Sequence, residues 1–168
     1  GDTDATMSAE IRFVRALHYF LLMDGWGNIP FTLEPMTKPE QRSRAQMYEW
    51  LEQELIGIEP ALSEAKAKKS TDAGYGRVDK AACWLLLSRL YLNSEIYTGT
   101  AQWQKAKEYA DKVIKSSYRL NTVGKGGWTA YQMLFMGDNG ETDAAYEALL
   151  PLLQDGLTTT SWGTSLFL

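Results

Sequence analysis

The sequence predicts an all-α fold of packed helical hairpins, on three observations. Long stretches repeat apolar residues at steps of three and four, the period of one helix face. Glycine, proline and threonine interrupt those stretches at short intervals, as linkers between neighbouring helices do. No strand-type alternation occurs before about residue 147. Four helices are expected, at roughly 8–24, 44–64, 78–95 and 102–117, followed by an irregular, partly extended C-terminal third. Short links make these two antiparallel hairpins, and in a solenoid each pair buries its face against the next. Residues 1–120 are thus expected to form a four-helix scaffold and 121–168 a loop-rich, ligand-binding segment.

The first helix is expected to start at Ser8 as N-cap and to run to about Asp24. Ile11, Val14, Leu17, His18, Leu21 and Leu22 share one side, while Phe13, Ala16, Phe20 and Met23 occupy another. A helix apolar on two sides belongs at the centre of the packing, with Leu17 or Phe20 nearly fully buried. Arg12 or Arg15 is expected to anchor loops crossing the helix end through an ion pair, and His18, the single histidine, reads as a satisfied core or boundary residue. Gly25-Trp26-Gly27-Asn28-Ile29-Pro30-Phe31 stops the helix, because glycine admits positive φ and the residue before proline prefers extended backbone. Trp26 either stacks on a ligand or covers the helix end.

The extended Thr32–Pro39 segment leads into a second amphipathic helix carrying Met47, Leu51, Leu55, Ile58 and Leu62 on one stripe, with Gly57 and Pro60 placed to bend or break its end. Ala65–Asp72 is polar and small, as in a mobile surface loop. In the third helix the small Ala81, Ala82, Cys83 and Ser88 allow close approach of a neighbour, while Leu85, Leu86, Leu87 and Leu90 supply bulk. Tyr97-Thr98-Gly99-Thr100 connects it tightly to the fourth helix, where Trp103, Ala106, Ala110, Val113 and Ile114 form the apolar stripe. With one cysteine, an internal disulfide and a cysteine-based metal cluster are excluded, and Cys83 reads as a buried small hydrophobe. The net charge of -4 comes without a basic stripe, which argues against nucleic acid as a partner. No signal peptide or membrane-spanning run is visible.

After Leu120 the texture changes. Val123-Gly124-Lys125-Gly126-Gly127 reads as a flexible loop, and with no preceding strand and no Gly-Lys-Ser/Thr ending it is not a phosphate loop. Asp138, Asn139, Glu141, Thr142 and Asp143 crowd oxygen-bearing side chains around Gly140, with Asp138, Glu141 and Asp143 as candidate Ca²⁺ ligands. Since Ca²⁺ takes about six to eight oxygens, other segments would have to complete such a site, and a solvated turn is the simpler reading. Glu147–Leu153 is expected to be a buried apolar segment broken by Pro151. Beyond Gln154-Asp155-Gly156, Trp162 stands alone among threonines and serines and precedes Gly163. An aromatic on such a loop offers a flat apolar face to the C–H face of a pyranose, with hydroxyls nearby for sugar oxygens; a buried structural tryptophan is the alternative.

Several of these strings resemble the SusD/RagB family of nutrient-uptake proteins, in the family's order and over nearly the whole chain. They include Ala9-Glu10-Ile11-Arg12-Phe13, Gly27-Asn28-Ile29-Pro30-Phe31, Gly76-Arg77-Val78-Asp79-Lys80-Ala81-Ala82, Arg89-Leu90-Tyr91-Leu92-Asn93, Leu134-Phe135-Met136 and Gln154-Asp155-Gly156. The starch-binding branch is the most similar. The resemblance implies tetratricopeptide-like helical units, with this chain an internal piece of a longer protein. It also implies an oligosaccharide ligand, a SusC-like TonB-dependent transporter as partner, and an outer-membrane surface lipoprotein whose signal lies upstream. Trp162 falls where the starch-binding pattern has a tyrosine forming one wall of an aromatic cradle for α-glucan. Family members can also bind calcium near the acidic loop, where this sequence is one residue shorter.

Two further function classes stand beside glycan capture. A glycoside hydrolase needs two carboxylates held across a cleft, and nothing in the context of the acidic residues marks such a pair. The expected protein is therefore not an enzyme, and no cofactor is required. A tetratricopeptide-type adaptor for peptides is the alternative, since helical hairpins make concave grooves.

Overall fold

The computed structural model describes residues 3–153. The chain divides into two compact units: one comprises the residues up to Lys66 together with Val78–Arg119, and the other comprises Ala67–Arg77 with the residues from Leu120 onward.

The first unit is helical. It contains α1 (Thr3–Trp26), a short antiparallel ribbon of β1 (Ile29–Phe31) and β2 (Glu40–Arg42), and α2 (Arg44–Ile58) ending in a 3₁₀ turn at Glu59–Ala61. Then follow α3 (Lys80–Leu92), the short α4 (Ser94–Thr98) and α5 (Trp103–Ile114). Helix α1 packs chiefly on α2, and α3 on α5, so the two expected hairpins form.

Helix α1 starts earlier than expected, since nothing in Thr3–Met7 breaks a helix, and Ser8 lies inside it. It ends where Gly27 takes a φ of 79° and donates its N–H to the Met23 carbonyl. Only one of its two apolar sides is in the core. Phe13, Ala16, Phe20 and Met23 are buried, whereas Ile11, Val14, Leu21 and Leu22 are exposed and Leu17 is half-buried. Ile11, Val14, His18 and Leu22 instead line an open groove of about 530 Å³ with Pro30 and Pro39. His18 is exposed rather than central, its Nδ1 lying 2.7 Å from the Val14 carbonyl. Trp26 stands largely in solvent, at 76% exposure.

The ribbon was not anticipated, because a three-residue strand carries too little alternation to register. Its anchor is aromatic: Tyr19, Phe31 and Trp50 form a triangle with ring centroids 4.9–5.4 Å apart. The Arg42 guanidinium sits 3.8 Å from the centroid of Phe31, and the Tyr19 hydroxyl donates to the Thr32 carbonyl at 2.6 Å. Helix α2 opens with a capping box of Ser43 and Gln46, a pattern legible in the sequence, and breaks before Pro60 as its residues foretold. All of Met47, Leu51, Leu55, Ile58 and Leu62 are buried.

Charged groups tie the helices together around that core. Glu54 accepts from Arg12 Nη2 at 2.6 Å and from Arg15 Nη2 at 2.8 Å, so these arginines anchor α1 to α2 rather than to a crossing loop. Glu52 accepts from the Tyr91 hydroxyl and Lys105, and Glu59 from Trp84 Nε1 and Lys112. The Ser88 hydroxyl donates to the Ala106 carbonyl at 2.8 Å, which marks the close α3–α5 approach that small residues permit. Cys83 is buried against the Leu55 carbonyl, and burial pushes its thiol up to about 12. On α5 the apolar stripe exceeds the buried one: Ala106 is covered, while Trp103 and Ile114 face solvent.

The Arg12 and Arg15 guanidiniums hold the Glu54 carboxyl below its usual range, chiefly through the hydrogen bond from Arg12. A lowered folded value means that this stability is present above the unfolded carboxyl value of about 4.3 and is lost as pH falls through the folded one. Glu54→Gln is therefore expected to narrow its melting-temperature deficit against wild type between neutral pH and about pH 3. Melting curves across that range check it, and a deficit independent of pH would show that packing, not charge, is what Glu54 contributes.

Candidate functional site

The second unit carries the loop-rich sequence, and its described part is organised by Asn121. The Asn121 N–H donates to Glu147 Oε2 at 2.8 Å, and its side-chain amide donates to the carbonyls of Ala130 at 2.8 Å and Val123 at 3.2 Å. Between those anchors Lys125 and Trp128 exchange backbone hydrogen bonds of 3.1 and 3.0 Å around Gly126 and Gly127. Both glycines have positive φ, 61° and 87°, as a two-residue type I′ turn requires. A Cβ on Gly124 would stand 2.3 Å from the Trp128 carbonyl oxygen. The segment expected to be a flexible glycine loop is thus a tight hairpin turn closed by a side-chain clamp.

Thr129 and Gln132 then form a capping box on the one-turn helix α6 (Ala130–Met133), another signature readable as Thr-x-x-Gln. Met133 points inward at 3% exposure; Tyr131 and Phe135 stand outward at 69% and 72%, their rings edge to face at 5.2 Å. Trp128 is about half exposed.

The acidic loop is held by lysines and by a neighbouring loop. Asp143 pairs with Lys69 at 2.9 Å, Asp138 with Lys125 at 3.6 Å, and the Glu141 N–H donates to the Asp138 carbonyl at 2.9 Å. Among the described residues no group of three His, Cys, Asp or Glu side chains is arranged to hold a metal. Asp138 and Asp143, expected with Glu141 as cation ligands, each face a lysine in this geometry.

The sequence predicts Ala65–Asp72 as a mobile loop. Within this unit, however, Ser70 donates its N–H to the Gly140 carbonyl at 2.7 Å, and Lys69 also lies 5.2 Å from the Tyr146 ring. Close approach favours glycine at 140, because a Cβ there would press on Tyr75 Oη at 3.0 Å. The 3₁₀ turn Asp143–Glu147 buries Ala144 and Ala145 beside a cavity of about 180 Å³ lined also by Tyr75, Leu134 and Asn139. Pockets that enclose drug-sized ligands run to about 300 Å³ or more, so this cavity is too small to enclose one. Leu152 and Leu153 are exposed, against the expectation of a buried segment there. Trp162 lies outside the described residues, as does the Gln154-Asp155-Gly156 turn. Asn121 was missed by sequence reading, because a single asparagine after a helix carries no pattern.

No family model matches the chain. The starch-binding protein SusD of Bacteroides thetaiotaomicron is 42% identical over 173 residues, which take in 100% of this chain and 29% of SusD. A solved SusD-like carbohydrate-binding protein from Bacteroides fragilis superposes with a TM-score of 0.60 over 71% of this chain and 23% of its own, at 22% identity, which speaks to the fold alone. Surface glycan-binding protein A from Bacteroides uniformis gives a TM-score of 0.56 over 68% of this chain and 25% of its own, at 30% identity. The helical fold is thus one shared with SusD-like proteins. The chain belongs to the SusD/RagB family, and it spans less than a third of the length of the curated relative it matches.

Proposed function

We propose that the protein containing these residues captures starch-like α-glucan or a related oligosaccharide at the cell surface and passes it to a SusC-like TonB-dependent transporter. The observation that carries this reading is the 42% identity to a starch-binding protein along the entire chain. In this reading the protein is an outer-membrane lipoprotein that binds rather than catalyses, and Trp162 is a platform for a pyranose ring. Aromatic faces supply contact area more than selectivity, so affinity falls on the order of micromolar to millimolar. A calcium ion held by Asp138, Glu141 and Asp143 needs further oxygen ligands from other segments.

Isothermal titration of maltooligosaccharides into full-length protein tests this. Trp162→Ala is expected to weaken binding by about tenfold or more. Unchanged affinity removes Trp162 from the site. Tight binding of another glycan with none of maltooligosaccharide keeps the class and discards starch, whereas peptide binding that survives Trp162→Ala, with no glycan bound, favours the adaptor reading.

A further inference from the structure

The second unit presents three aromatic residues to solvent within one short stretch: Trp128 at 49%, Tyr131 at 69% and Phe135 at 72% exposure. Exposed aromatic surface is costly in water, and here the backbone beneath it is held in place. The Gly126-Gly127 turn closes on Trp128, the Asn121 side chain grips the Ala130 carbonyl, and the Thr129–Gln132 capping box sets the register that puts Tyr131 and Phe135 one helical turn apart. Binding by such a surface loses little conformational freedom. The Lys125–Asp138 ion pair further joins the turn to the loop that follows Phe135.

What else is exposed on this stretch distinguishes between occupants. Between Trp128 and Asn139 the exposed residues are Trp128, Thr129, Tyr131, Gln132, Phe135, Gly137 and Asn139, with no exposed aliphatic side chain among them. Protein interfaces are themselves rich in aromatic rings, but they set them beside exposed methionine and arginine, neither of which is exposed between Trp128 and Asn139. A surface of aromatic rings interspersed with hydroxyl and amide groups matches a pyranose chain, whose C–H faces meet rings while its hydroxyls meet polar groups. We propose that Trp128, Tyr131 and Phe135 form a glycan-contact surface additional to Trp162, taking successive sugar units of a glucan along the outer side of α6. This rests on the glycan-binding reading above and extends it to residues that reading does not use.

The test titrates maltoheptaose into full-length wild type, Tyr131→Ala/Phe135→Ala, Tyr131→Phe and Trp162→Ala, with thermal melts to verify folding. The double variant is expected to bind about tenfold more weakly or to lose part of the stoichiometry, and Tyr131→Phe, which keeps the ring, to stay near wild type. In wild-type protein the ring resonances of Tyr131 and Phe135 are expected to shift on titration, a readout that does not depend on any variant folding. Unshifted rings, or wild-type affinity and stoichiometry in the double variant while Trp162→Ala loses binding, would overturn this surface and leave the glycan-binding reading standing. Wild type that binds no oligosaccharide would instead sink that reading and this surface with it. A double variant that changes only self-association would reassign the rings to contact between copies and overturn the proposal.

Discussion

Phe20→Ala is expected to lower the free energy of unfolding by about 3–5 kcal/mol, the range for truncating a large aromatic in a packed core. Phe20 is 1% exposed on the inward face of α1, in line with Phe13, Ala16 and Met23, and the Arg89 guanidinium lies 5.5 Å from its ring centroid. Its loss removes both the buried area and the partner of that cation, and the α1–α2 interface is too tightly filled by Met47 and Leu51, each at 0% exposure, to collapse freely into the gap. Ile11→Ala on the same helix supplies the contrast. At 68% exposure Ile11 has little burial to lose, and a change within about 0.5 kcal/mol is expected. Urea unfolding of both variants measures the difference, and equal effects would mean that the inward face of α1 is wrongly assigned.

Asp79→Ala is the second large effect, about 3 kcal/mol, combining a lost helix cap with buried donors left without an acceptor. Asp79 is 3% exposed yet accepts four hydrogen bonds: from Ala81 and Ala82 N–H at the start of α3, from Lys66 N–H at 3.1 Å, and from the Tyr118 hydroxyl at 2.8 Å. One carboxylate thereby joins the start of α3, the chain before it and the segment after α5. Burial pushes its carboxyl above the usual range against the pull of those donors. Asp79→Asn keeps an acceptor for the cap and is expected to cost less than half as much. Chemical unfolding of the two variants decides between them, and equal losses would show that the charge, not the acceptor count, is what matters. Sequence reading used Asp79 only as part of a family string, because a carboxylate before a helix looks like an ordinary cap. Its reach to Lys66 and Tyr118 spans long stretches of chain that only the fold brings together.

The helical elements were legible because their signals are local. The stripe from Met47 to Leu62, the break before Pro60 and the small residues around Cys83 each lie within a few residues of what they determine. The readings that failed needed knowledge of neighbours. Ile11, Val14 and Leu22 are as apolar as Phe13 and Phe20, and nothing in spacing says which side meets α2. The Gly126-Gly127 pair was read as freedom, whereas positive φ on both glycines is the condition for a tight turn. The Lys69–Asp143 and Lys125–Asp138 ion pairs, which no spacing announces, likewise depend on the fold.

Local signals therefore suffice for the all-α class, the helix order and the family, because periodicity and motif order are properties of neighbouring residues along the chain. The tertiary structure alone decided which apolar face is core, which carboxylates are neutralised by lysines, and that Trp128, Tyr131 and Phe135 stand outward on a clamped turn. Burial and ion pairing depend on groups brought together from distant positions, and that proximity is absent from any local window of sequence.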